Sequence, residues 1–79
     1  MKPTYYLLYT LIDFGEEISD SHVLYTNLKD AKGAMEKEIE ECHENFNRGR
    51  VKNDLERLYE FMDEDGRGFT VGVEEMIPQ

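Results

Sequence analysis

Residues 4–14 read TYYLLYTLIDF, and nothing else in the chain restricts its fold as tightly. In an extended backbone successive side chains alternate between faces, and here both faces are apolar. Tyr6, Leu8, Ile12 and Phe14 share one side; Tyr5, Leu7, Tyr9 and Leu11 share the other. A strand apolar on both faces is normally central and covered on both. Thr10 breaks the run, Asp13 and Gly15 close it, and no small-residue cleavage site follows. The stretch therefore reads as a strand and not as a targeting segment.

Around this strand the pattern predicts three others and one helix. GEEISDS reads as a polar loop, and His22–Thr26 (HVLYT) returns as a second, antiparallel strand. Asn27 is a good N-cap, with Asp30 in the first turn where the helix dipole favours an acid. Leu28, Ala31, Met35, Ile39, Cys42 and Phe46 recur in steps of three and four, which is one helical stripe. Gly49 is a natural residue to end it. The basic island Arg48–Lys52 then reads as a solvated helix C-terminus. Residues 53–62 fit two templates. Asn53 and Glu56 spell a capping box, yet the segment also pairs well as one arm of a hairpin.

The order strand, strand, helix, strand, strand makes the chain a single small α+β domain over residues 1–79. Its predicted architecture is a four-stranded, mainly antiparallel sheet in β-β-α-β-β order with one helix packed on one face. On the helix side are expected Tyr6, Leu8, Ile12, Phe14, Leu58, Met62, Phe69, Val71 and Val73. Tyr5, Leu7, Tyr9, Leu11, Tyr59 and Phe61 are expected on the open side.

Composition narrows the function. The chain has 79 residues and a formal net charge of −9. Direct nucleic-acid binding is disfavoured, because it depends on cations that neutralise phosphate. No segment approaches the ~20 apolar residues of a membrane span. A lone cysteine, Cys42, forms no internal disulfide and suits a reducing compartment, so a cytoplasmic location is expected. A chain this short buries roughly 60–65% of its unfolded surface, leaving a marginal core.

The stretch DEDGRGFTVGVEE, from Asp63 to Glu75, resembles an EF-hand calcium loop. The resemblance covers residues 63–74 only. It would make Asp63, Asp65, the Phe69 carbonyl and Glu74 ligands, with Gly68 at the sharp turn. Arg67 falls where a ligand is needed, and Pro78 follows too soon for an exiting helix. A hairpin explains more of the residues. With its turn at Asp65-Gly66, Glu64 faces Arg67, Met62 faces Phe69 and Leu58 faces Val73. No metal and no cofactor is therefore expected.

Catalytic chemistry is also not expected. Cys42 and His43 are adjacent on a helix and do not face each other; the expectation is a packed thiol beside an exposed imidazole. The reading that remains is a small acidic protein-interaction module that acts on an unidentified protein partner and homodimerises through the open sheet face. Its expected interface is Tyr5, Leu7, Tyr9, Leu11, Tyr59 and Phe61. The alternative is an acidic nucleic-acid mimic of the phage or mobile-element type, which would inhibit a DNA- or RNA-binding protein. Glu36, Glu40 and Glu44 would then form its acidic face, rising about 6 Å per step.

Overall fold

The structure is a computed structural model, and it describes residues 4–77. The chain is α+β, with one helix and an antiparallel sheet. The elements are β1 (Tyr5–Asp13), β2 (Ile18–Tyr25), α1 (Leu28–His43), β3 (Gly49–Leu55), β4 (Leu58–Asp63) and β5 (Gly68–Met76). The sheet has five strands, not four, in the order β2-β1-β5-β4-β3. β1 and β5 lie side by side near its middle, and α1 crosses them and packs also on β2.

The additional strand is β3, which contains the basic island. Its side chains are largely exposed, and it pairs only with β4, so it lacks the apolar alternation by which strands are recognised. Arg50, Lys52 and a register shift between Val51 and Asn53 are typical of a protected sheet edge. Residues 53–60 are accordingly strand, turned by Glu56-Arg57. The helix ends at His43, one turn earlier than its stripe suggests. There the N–H groups of Asn45 and Phe46 both close on the Cys42 carbonyl, each at 3.0 Å. Phe46 still reaches the core, its ring 6.0 Å from that of Phe69, which is why the periodicity outruns the helix.

The start of the helix follows its sequence. Asn27 is extended (φ −143°, ψ 152°), and its Oδ1 accepts from the Asp30 N–H at 2.8 Å. Its Nδ2 donates to Asp30 Oδ2 at 2.9 Å. Such caps contribute about 1 kcal/mol. Ahead of the helix, the expected polar loop is two residues long. Gly15 (φ +97°) and Glu16 make the turn, and no non-glycine residue has positive φ among the described residues. A positive-φ glycine at the first central position, with negative φ at the second, lets the chain reverse within two residues. β2 therefore begins at Ile18, four residues before its expected start at His22.

The hairpin between β4 and β5 forms, but one residue out of the expected register. Glu64, Asp65 and Gly66 make a three-residue loop, closed by the Asp63 N–H on the Arg67 carbonyl (2.6 Å). Asp63 Oδ1 accepts from the N–H groups of Asp65 and Arg67, both at 2.9 Å. Gly66 takes φ +85° to close the loop. This is the type I turn with a glycine bulge, an alternative to the two-residue turn at Asp65-Gly66. A one-residue shift moves every side chain of a strand to the other face. Phe61 pairs with Phe69 and Tyr59 with Val71, so both face the helix, while Leu58 and Met62 face away. The expected sides of these four residues are thus reversed.

The core lies between α1 and the sheet: Leu8, Phe61, Phe69, Val71 and Val73 against Ala31, Met35, Cys42 and Phe46. Val71 is wholly buried. Phe14 sits past the end of β1 and is 40% exposed, at the rim of this core.

Candidate interaction surface

The face away from the helix is built from alternate residues of all five strands. β1 supplies Tyr5, Leu7, Tyr9 and Leu11, the four expected open-face residues whose side the register preserves. Across β2 their neighbours are Leu24 beside Leu7, His22 beside Tyr9, and Asp20 beside Leu11. On the other flank β5 presents Gly68, Thr70 and Gly72 between these residues and β4, and further along it Glu74 beside Leu7 and Met76 beside Tyr5. β4 then rises again with Leu58, Glu60 and Met62.

Small residues on a central strand leave a trough along β5. Tyr9 fills its middle: a Cβ added to Gly72 would collide with the Tyr9 ring. Burial, and then the carboxylates of Glu74 and Glu60, push the Tyr9 phenol above its ordinary pKa, so it stays a protonated donor. Beyond Tyr9 the trough opens into a shallow pocket of about 250 Å³. Leu11, Ile18 and Met62 supply its apolar walls, Asp13, Glu60 and Lys52 its charges, and Gly68 and Thr70 its floor.

Tyr59 and Phe61, expected beside these residues, are part of an aromatic group under the helix. The His43 ring stands edge-on to Tyr59, Phe61 and Phe69, with centroids 4.8–5.6 Å away. Its Nδ1 lies 2.9 Å from the Phe46 carbonyl and its Nε2 2.7 Å from the Tyr59 hydroxyl. A carbonyl only accepts, so Nδ1 donates to Phe46, and Nε2 shares the second hydrogen bond with the Tyr59 hydroxyl. His43 is thus half-buried and bonded at both nitrogens, not exposed as expected. The Tyr59 phenol is pushed up by burial and then by the Asp54 carboxylate, and stays protonated.

Cys42 is buried beside it, 4% exposed. Burial, followed by Glu38 and Glu41, pushes its thiol up to about 11, which keeps it protonated and unreactive. Both imidazole nitrogens of His43 are committed elsewhere, so the pair has no nucleophilic geometry.

The calcium-loop residues do not converge. Asp63 and Asp65 hold Arg67, with Asp65 Oδ2 3.0 Å from its guanidinium. Phe69 is in the core, and Glu74 lies well along β5 opposite Leu7. Among the described residues no three His, Cys, Asp or Glu side chains gather to hold a metal ion.

Glu36, Glu40 and Glu44 are exposed at the outer side and C-terminal end of α1. Asp20, Glu60 and Glu74 lie on the opposite face of the molecule, so the acids do not collect on one surface. No described helix is long and apolar enough to cross a membrane.

No protein-family model, curated protein or solved structure matches this chain.

The residues that sequence reasoning missed on this face include Ile18, Leu24, Leu58, Met62 and Met76. Gly15-Glu16 as a two-residue turn would have placed β2 and with it Ile18. The three-residue loop at Glu64–Gly66 would have placed Leu58 and Met62. Both signals are present as glycines ahead of or behind alternating segments.

Proposed function

We propose that the protein is a small interaction module whose open sheet face binds protein, with a second copy of this chain as its first partner. The observation carrying this reading is the row Tyr5, Leu7, Tyr9 and Leu11 beside a shallow trough floored by Gly68 and Thr70. With Leu24 and Met62, exposed by 61% and 38%, the row joins apolar surface on three strands. Contiguous apolar patches beyond about 300–600 Å² are uncommon on monomers and mark contact sites. Tyrosines suit such a contact because each offers an apolar ring and a polar tip. A two-fold pair would bury the same patch on both copies. Tyr59 and Phe61 take no part in this surface, and Leu24 and Met62 stand in their place.

The second reading, a nucleic-acid mimic built on Glu36, Glu40 and Glu44, draws support from the exposure of all three. The spread of acids over both faces favours the first. Sedimentation velocity at micromolar concentration tests it. The variant Leu7→Ser/Leu11→Ser should remain folded by circular dichroism yet sediment as a smaller species than the unmodified chain. Identical sedimentation of the two overturns the open-face contact.

A further inference from the structure

The two edges of the sheet are unlike. β3 is blunted by Arg50, Lys52 and its irregular register. β2 runs through eight residues in unbroken pairing with β1 and contains no lysine, arginine, proline or bulge. A long regular edge of this kind is a template for another strand. Its free hydrogen-bonding groups can be located. The Phe14 N–H donates to the Glu17 carbonyl at 3.0 Å, so Phe14 and Glu17 form a hydrogen-bonded pair at the mouth of the turn. Such pairs alternate along an antiparallel ladder. Ser19, Ser21, Val23 and Tyr25 therefore bond inward to β1, and Ile18, Asp20, His22 and Leu24 aim their N–H and C=O groups outward.

We propose that β2 pairs with β2 of a second copy about a two-fold axis at Ser21, joining the two sheets into one of ten strands. The pairing uses the backbone edge of β2 and does not require Leu7 or Leu11, although Leu24 belongs to both surfaces. The occupant follows from self-complementarity. Outward groups must meet outward groups, so only registers that pair even-numbered residues with even-numbered residues are possible. Centred on Asp20, the pairing sets two carboxylates face to face; centred on His22, it sets Asp20 against Leu24. Centred on Ser21, each Asp20 meets His22 of the other copy, and each Ile18 meets Leu24. Opposite-polarity and apolar pairs then both match. Ile18 and Leu24, exposed by 72% and 61%, lose water, and each pair exchanges both backbone hydrogen bonds.

Cysteine cross-linking reads the register directly. Ser21 would face Ser21 of the second copy as a non-hydrogen-bonded pair, with Cα atoms about 4.5 Å apart, within the range of about 4.4–6.8 Å that a disulfide spans. Ser19 would face Val23, leaving the two Ser19 residues about 14 Å apart. Both serines are exposed, so neither change threatens folding. The experiment runs at about 0.15 M salt, where repulsion between two acidic copies is screened. Under mild oxidant, Ser21→Cys should form a disulfide-linked pair at least tenfold faster than Ser19→Cys. The unmodified chain, whose one thiol is the buried Cys42, should stay unlinked. His22→Asp, which sets acid against Asp20, should weaken association about tenfold in sedimentation, and the swap Asp20→His/His22→Asp should restore it. Linking of Ser21→Cys should persist in the Leu7→Ser/Leu11→Ser background, where the open-face contact is removed. Equal rates for the two cysteines, or loss of linking in that background, overturns the proposal.

Discussion

On β5 the two faces of the sheet can be compared residue by residue. Toward the helix it sends Phe69, Val71 and Val73, each no more than 4% exposed. Away from the helix it sends Gly68, Thr70 and Gly72. The same strand thus sends large side chains to one face and small ones to the other. Fully burying one such large side chain is worth about 1.5–3 kcal/mol, so the helix face holds most of the folding free energy. The open face contributes little volume, and its shape is set by what β5 leaves out and by the Tyr9 ring laid over Gly72. One side therefore fails by losing atoms, the other by gaining them.

The largest test of this contrast uses two neighbours on β4. Phe61 is 8% exposed and packs on Phe69 with ring centroids 5.7 Å apart, while Met62 is 38% exposed on the other face. Phe61→Ala should cost about 3–5 kcal/mol, a large part of the roughly 5–15 kcal/mol a domain possesses. Met62→Ala should cost under about 1 kcal/mol. Urea unfolding of both variants measures the difference. A larger loss at Met62 would reinstate the other hairpin register and reverse the faces of β4.

That pair also shows how far the sequence was legible. β1, the helix start at Asn27 and the inward set Phe69, Val71, Val73 follow from local pattern, because burial on these elements writes a clear period. β4 was recognised as strand-compatible, but its facing was not, because Leu58, Tyr59, Phe61 and Met62 put apolar side chains on both sides. With no polar face to fix parity, the register rests on whether Asp63–Gly68 closes by two residues or three. The difference lies in Asp63 Oδ1, which caps the N–H groups of Asp65 and Arg67 and so favours the longer loop. β3 was hidden for another reason. A charged edge strand writes no period, and its cations also suit a helix end. On the surface, Tyr5, Leu7, Tyr9 and Leu11 were legible from β1 alone, whereas Ile18, Leu24 and Met62 depend on turns.

An intermediate effect is expected on the open face. Gly72→Ala places a methyl group where the Tyr9 ring lies, so the ring must swing away from β5. Overpacking of this kind costs about 1–3 kcal/mol. Removing the ring should remove the penalty, so Gly72→Ala in a Tyr9→Ala background should cost far less than in the unmodified chain. Such coupling between the two substitutions is read from a double-mutant cycle of unfolding free energies. Additive costs would mean that Tyr9 does not cover Gly72 and that the trough is open along its length.

The smallest effect concerns how dry the helix face is. Cys42 is the titratable group most enclosed there, and its thiol is pushed from an ordinary value of 9.0 up to about 11, chiefly by burial. Below pH 9 the thiol is protonated in both folded and unfolded chains, and it contributes no pH dependence. Between 9 and about 11 the unfolded chain releases the proton while the folded chain keeps it. The unfolded state then binds fewer protons, so stability falls as pH rises through this window. Tyr9 and Tyr59, also raised, act in the same direction near the top of it. Cys42→Ala isolates the thiol, because both tyrosines remain. The unmodified chain should lose more stability than this variant between pH 9 and 11, and the two should run parallel below pH 9. Parallel curves throughout, together with rapid alkylation of the folded chain at pH 8, would show that water reaches the thiol and that the contrast between the two faces is weaker than their packing implies.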